Sequence, residues 1–244
     1  MPHLYRVPEE FADSDTLFET FVEYTKDTGI TLYPAQEEAI LAILTGDNTV
    51  MATPTGSGKS MVALAAAFFA LCRGQRTYYT APIKALVSEK FFDLTHIFGA
   101  DNVGMVTGDS TVNADAPIIC ATAEILANQA LREGATLDVG MIVMDEFHYY
   151  GDPQRGWAWQ VPLLTLPAAQ FVLMSATLGD TSAIQKSLTE LTGRECSLIT
   201  SAHRPVPLSY AYSEEPLHET LSKLVRDNKA PIYVVSFAQA AAVE

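Results

Sequence analysis

Thr49-Val50-Met51-Ala52-Thr53-Pro54-Thr55-Gly56-Ser57-Gly58-Lys59-Ser60 begins as an apolar, strand-like run, breaks into a turn of small residues and leads into a helical pattern from Met61 to Leu71. Strand before and helix after is the setting a phosphate-cradling loop requires. Glycine at 56 and 58 lets the backbone fold tightly around an anion with its N–H groups pointing inward. The N-terminus of the following helix adds partial positive charge at the same spot. Lys59 is expected to reach the β- and γ-phosphates of a nucleotide, and the Ser60 hydroxyl to hold Mg²⁺. Thr53, Thr55, Gly56, Ser57 and Gly58 complete the expected phosphate-binding set. The strict pattern has glycine where Thr53 stands, so only its Gly-Lys-Ser end is intact.

A second stretch supplies the chemistry that the loop lacks. Met141-Ile142-Val143-Met144 is a short continuous apolar run, the signature of a buried parallel strand, and it ends in Asp145-Glu146-Phe147-His148. Adjacent carboxylates at the end of a buried strand are expensive unless they are used. They fit the crevice at the carboxyl ends of strands, where open α/β sheets bind ligands. Asp145 is expected to hold Mg²⁺, and Glu146 to orient and deprotonate an attacking water. Loop and acidic turn together describe a chain that binds a nucleoside triphosphate and hydrolyses it.

The 244 residues are 48% hydrophobic, enough for one large core. No run approaches the ~20 apolar residues of a membrane span, and the N-terminus lacks the basic-then-apolar layout of a secretory signal. Cys72, Cys120 and Cys196 are widely spaced in apolar runs, which speaks against a disulfide framework or a zinc site and for a reduced cytoplasm. Fifteen basic against 29 acidic residues leave a net charge of −14. That lowers the expectation of tight nonspecific nucleic-acid binding. It does not veto a local basic groove, because exposed charges are screened beyond ~8 Å at physiological salt.

From Thr49 the chain alternates strand candidates (49–53, 77–82, 103–107, 117–121, 141–145, 171–175, 197–200, 231–237) with helical patterns (59–72, 84–98, 122–132, 155–166, 180–193). This alternation predicts an α/β fold, a mostly parallel sheet with helices on both faces. Residues 9–47 read as helices, with Pro34 near the start of the second, and 217–229 as a short one. His203-Arg204-Pro205-Val206-Pro207-Leu208 reads as an extended connector. A strand at 231–237 close to the last residue is expected to open a further, truncated unit. Gly156-Trp157-Ala158-Trp159 is expected to pack in the core or against another domain rather than to stack on bases.

In this order the motifs resemble superfamily 2 helicases of the DEAD/DExH-box type, over about residues 30–240. Thr53 to Ser60 is similar to motif I, Asp145 to His148 to motif II in its DExH form, and Ser175-Ala176-Thr177 to motif III. Gln36 resembles the adenine-reading glutamine, Ala81-Pro82-Ile83-Lys84-Ala85-Leu86 motif Ia, and Thr107-Gly108-Asp109 and Thr122 to Leu126 the next two substrate-contacting motifs, with alanine at 123 where proline is usual. The Arg-Pro-Val-Pro connector is similar to the superkiller-like branch, which includes RNA exosome helicases.

The resemblance implies a helical segment at 1–48, a RecA-like ATP-binding domain at 49–202, a linker at 203–216 and the start of a second RecA-like domain at 217–244. It implies ATP with Mg²⁺, the ion shared by Ser60 and Asp145. Lys59, Asp145, Glu146 and His148 would be catalytic, Pro82, Lys84, Gly108 and Thr122 would contact nucleic acid, and Ser175 and Thr177 would couple the two sites. Phe18 and Tyr33 are aromatic candidates for stacking on adenine, but both are read first as core residues. The expected function is the ATP-binding domain of a nucleic-acid helicase, RNA favoured over DNA. The other expectation is a nucleotide-gated clamp for RNA or protein that unwinds nothing. Without a second domain the chain is expected to hydrolyse ATP very slowly.

Overall fold

In a computed structural model, the structure describes residue 4 and residues 6–201 and 209–236. The elements run, in chain order, α1 (Ser14–Asp27), α2 (Pro34–Thr45), β1 (Asn48–Ala52), α3 (Lys59–Cys72), β2 (Thr77–Ala81), α4 (Lys84–Phe98), β3 (Val103–Val106), β4 (Thr111–Val112), β5 (Ile118–Thr122), α5 (Ala123–Glu133), β6 (Met141–Met144), α6 (Trp157–Thr165), β7 (Gln170–Ser175), α7 (Ser182–Thr192), β8 (Cys196–Thr200) and α8 (Leu217–Arg226). Short 3₁₀ turns fill the gaps at Glu9–Phe11, Ala100–Asn102, Gly134–Thr136 and Phe147–Gly151. The chain divides into two compact units, Met1–Pro205 and Val206–Glu244.

The first unit is built on one sheet in the order β4-β3-β5-β2-β6-β7-β1-β8. Every pairing is parallel except β3 with β4. Strand side chains alternate between faces, and the two cores follow that alternation. Met51, Tyr79, Val143, Val172 and Met174 pack with α1 to α4. Val50, Tyr78, Ile142, Phe171 and Leu173 pack with α5, α6 and α7. Helix α3 is apolar along most of its length and buried from Val62 to Cys72, as expected of a helix enclosed on all sides. The mostly parallel sheet with helices on both faces is therefore present. No helix of the described residues is long and apolar enough to cross a membrane.

Helix starts follow local chemistry. Asp13 caps α1 by accepting from the Thr16 amide at 3.0 Å, and Pro34 occupies the first turn of α2, where its missing N–H is no loss. Gly46 ends α2 in the left-handed region (φ 94°).

Several expectations need correction. Thr111–Val112 forms an exposed antiparallel edge strand, too short to show a two-residue period. The helix expected over 155–166 begins at Trp157, because the Asp152 side chain holds the amides of Gln154 and Arg155 in a turn. Of the two tryptophans, Trp159 is fully buried in the core and Trp157 is 40% exposed. Residues 231–236 of the second unit carry no strand. In that unit α8 ends at Arg226 rather than 229 and buries none of its residues. The connector at 203–208 and Phe237 lie outside the described residues.

Candidate active site

Because β1, β2, β3, β5, β6 and β7 run parallel, their carboxyl ends line one edge of the sheet. The half formed by β1, β7 and β6 carries the phosphate-loop motif, Ser175 and the acidic turn. In register, Ala52 pairs with Ser175 and Met144 with Leu173. Three segments far apart in sequence thus leave adjacent strands.

The loop between β1 and α3 is held from within. Gly56 (φ 85°) and Gly58 (φ 74°) occupy the left-handed region, which a side chain makes costly. Buried Thr53 shares a 2.7 Å hydroxyl contact with Ser57. The Lys59 ammonium donates to the carbonyls of Thr53 at 2.9 Å and Pro54 at 3.2 Å. Burial pushes the Lys59 pKa down, against the charges of Asp145 and Glu146, which push it up. No side chain caps the start of α3, and Thr55, Gly56 and Ser60 are exposed.

Gln36 lies buried beneath this loop. Its Nε2 donates to the Gly58 carbonyl at 2.8 Å, and its Oε1 accepts from the Tyr33 amide at 2.7 Å. A Cβ placed on Gly58 would come within 2.2 Å of that Nε2. One N–H and one lone pair of Gln36 are left beyond these bonds.

At the end of β6, the Asp145 Oδ1 accepts from the Glu146 amide at 2.9 Å, and its Oδ2 from the Tyr79 hydroxyl. Glu146 adopts a left-handed conformation (φ 49°, ψ 45°), a strained choice for a residue with a side chain and one that concentrates at functional sites. His148 Nδ1 lies 3.2 Å from Ser175 Oγ and 3.3 Å from Glu146 Oε2. One imidazole nitrogen therefore faces both the acidic turn and the end of β7, while the Thr177 amide donates to Ser175 Oγ at 3.3 Å.

The half formed by β2, β5 and β3 carries the other predicted residues. Ala81 pairs with Thr122, the last residue of β5. Lys84, exposed at the start of α4, is bound by Asp109 at 2.7 Å, and this tie holds down the Asp109 pKa. Gly108 sits beside it in an exposed turn, whereas Pro82 is buried.

Three residues that carry no motif spacing stand out here. The Arg155 guanidinium grips Glu124 at 2.6 and 2.8 Å, donates to the Pro82 carbonyl and lies 5.6 Å from the Tyr149 ring. It ties the segment after β2 to the segment after β5. Tyr79 and Lys90 connect this half to the β1–β7–β6 half. Only the run of aromatics in Tyr78-Tyr79 and the lone Arg155 before the tryptophans marked them in the sequence.

The donor set suits a triphosphate with Mg²⁺. An uncapped helix start and left-handed glycines leave amides for an anion. Ser60 and Asp145 offer oxygen only, and Mg²⁺ is commonly held by one or two protein oxygens, substrate phosphates and waters. No cluster of three or more His, Cys, Asp or Glu suited to a metal occurs among the described residues, so no self-sufficient metal cage competes with that arrangement.

The model of the DEAD/DEAH box helicase family matches residues 33–185. The DExH-box ATP-dependent RNA helicase DExH15, chloroplastic, of Arabidopsis thaliana is 39% identical over 186 residues, covering 73% of this chain and 16% of that protein. The antiviral helicase SKI2 of Saccharomyces cerevisiae is 37% identical over 176 residues, 71% of this chain and 14% of the relative. The chain thus spans less than a fifth of the length of these relatives. Among solved structures, the Hef helicase domain of Pyrococcus furiosus superposes with a TM-score of 0.56 at 21% identity, covering 73% of this chain and 40% of that one. That similarity establishes the RecA-like fold.

Proposed function

The chain belongs to the DEAD/DEAH box helicase family, in its superkiller-like branch, and from that premise we propose that it is the ATP-binding part of an ATP-dependent RNA helicase. The observation that carries the reading is the convergence of the Lys59 loop and the Asp145-Glu146 turn at one edge of the sheet, close enough for both carboxylates to act on the Lys59 ammonium. RNA is preferred to DNA because some of the relatives, among them DExH15 and the mtr4 protein of Schizosaccharomyces pombe, are described as ATP-dependent RNA helicases.

The loop amides and Lys59 bind the phosphates, and Lys59 exchanges its two carbonyl partners for phosphate oxygens. Ser60 and Asp145 would hold Mg²⁺, which when bound would neutralise charge on the phosphates. Glu146 orients the attacking water and accepts its proton. Gln36 braces the loop through the Gly58 carbonyl and offers its remaining N–H and lone pair to adenine. His148 senses the Glu146 carboxylate and passes its position to Ser175, and Ser175 with Thr177 relays the state of the nucleotide site to the nucleic-acid side. Lys84, Gly108, Thr122 and the segment at Pro82 hold the sugar-phosphate chain without reading bases.

The relatives are several times longer, and the family's arginine fingers lie in a second RecA-like domain. Such an arginine is worth about 10³–10⁵-fold in phosphoryl transfer. This chain alone is therefore expected to bind ATP and to turn it over very slowly.

The deciding experiment uses the full-length protein that contains the chain. RNA-stimulated ATP hydrolysis and displacement of an annealed RNA strand are both expected, and both are expected to be lost in Lys59→Ala. Displacement that survives this substitution overturns the ATP-driven reading, and ATP binding without displacement leaves a clamp.

A further inference from the structure

We propose that Tyr79 is a positioning residue for the divalent cation of the nucleotide site, its buried phenol fixing the Asp145 carboxylate in the orientation that receives the ion. The inference rests on the assignment of that ion to Ser60 and Asp145. Tyr79 lies on β2, the strand where the two halves of the sheet edge meet, and its register partner is Val143 on β6. Side chains two apart on a strand share a face, so Asp145, two residues beyond Val143, projects to the side on which Tyr79 packs. The contact follows from this register: the Tyr79 hydroxyl donates to Asp145 Oδ2, while the Glu146 amide holds Oδ1 at 2.9 Å. With one donor on each oxygen the carboxylate cannot rotate, yet each oxygen keeps a lone pair for an ion or its water.

Core packing alone does not call for this hydroxyl. Tyr79 is 3% exposed, and phenylalanine would fill the same volume. A buried phenol needs a hydrogen-bond partner, and here the partner is the one carboxylate assigned to the metal. The ring is fixed in turn. The Lys90 ammonium sits 5.7 Å from its centroid and donates to Ser60 Oγ at 3.3 Å. The two protein oxygens assigned to the ion are thus both contacted by this tyrosine–lysine pair, neither member of which belongs to a phosphate-loop or acidic motif. Partners of this kind, one step removed from a metal, orient its ligands and typically contribute about 10–100-fold to its affinity.

The test is Tyr79→Phe in the full chain, read by a fluorescent ADP analogue titrated in EDTA and at increasing Mg²⁺. Affinity in EDTA is expected to stay within about twofold of wild type, while the Mg²⁺ concentration that half-restores tight binding rises about tenfold. Asp145→Asn is expected to shift the Mg²⁺ response similarly, and adding Tyr79→Phe to it should change nothing further, as for two groups acting through one contact. A Tyr79→Phe chain whose Mg²⁺ response superimposes on wild type overturns the inference. So does an equal loss of affinity in EDTA, which is the mark of a packing role. A wild-type chain with no Mg²⁺ response is a different failure, because it removes the ATP–Mg²⁺ reading and this inference with it.

Discussion

The two halves of the sheet edge are prepared for their ligands in opposite ways. On the β1–β7–β6 half, the functional side chains are already fixed by internal partners: Lys59 by two carbonyls, Gln36 by Gly58 and Tyr33, Asp145 by Tyr79, and His148 by Ser175 and Glu146. On the β2–β5–β3 half, Lys84 is exposed and its contact is an exposed carboxylate, Asp109. Arg155 braces that half by joining the Pro82 carbonyl to the Glu124 carboxylate. The difference matches the two tasks proposed for them. Phosphoryl transfer depends on donors placed in advance, since reorganisation during the reaction raises the barrier. Gripping a sugar-phosphate chain of any sequence asks only for charge and hydrogen bonds that adapt.

The contrast breaks first, and most visibly, at Glu146. In the full-length protein Glu146→Gln is expected to lower RNA-stimulated ATP turnover by about 10²–10⁴-fold and to leave nucleotide affinity nearly unchanged. Steady-state hydrolysis beside nucleotide titration checks this, and a small loss would take the proton-accepting role away from the acidic turn. The strut of the other half comes next. Arg155→Ala strips the Glu124 carboxylate of a half-buried partner and is expected to destabilise the chain by about 1–3 kcal/mol, seen in denaturant unfolding, with nucleotide affinity intact. Unchanged stability would mean that this half is not braced through Arg155.

Gly58→Ala probes how closely the loop is set. The left-handed backbone penalises alanine by about 1–2 kcal/mol, and its Cβ would meet the Gln36 amide. Nucleotide affinity is expected to fall about tenfold. Gln36→Ala in the same chain should recover part of this by removing the clash but not the backbone strain. Wild-type affinity in Gly58→Ala would show that the loop is not preset. The smallest effects belong to the exposed pair. Lys84→Ala is expected to weaken RNA binding, and Asp109→Asn to strengthen it, each by about two- to fivefold, the scale of one exposed charge contact. The salt dependence should flatten for Lys84→Ala by about one phosphate contact. Two substitutions that move affinity in the same direction would deny that Asp109 competes with phosphate.

Much of this was legible before any coordinates. The strands from β1 to β8 other than β4, and the helices α3 to α5, lie within a residue or two of where composition and periodicity put them, because a doubly covered parallel sheet writes near-continuous apolar runs into its strands. The motifs were legible because phosphate loops and acidic strand ends need particular residue types at fixed short spacing. What escaped has a common cause. Tyr79 reads as a β-forming aromatic, Lys90 as a helix-surface cation and Arg155 as the first residue of a helix. Each matters through a partner 66, 30 and 31 positions away. Val112 of β4 is exposed and unpatterned, and the apolar run at 231–236 has the composition of a strand but no strand to pair with among the described residues.

Local sequence therefore determined which segments become strands and helices, where left-handed glycines open the loop before α3 and which carboxylates end β6, since backbone sterics, glycine freedom and the periodicity of burial act over a few residues. Tertiary structure alone decided that β7 lies between the loop and the acidic turn, that Gln36 lies under Gly58, and that the Tyr79 phenol meets Asp145. Those depend on strand order and register, which parallel pairing across long crossovers settles only when the whole sheet has formed.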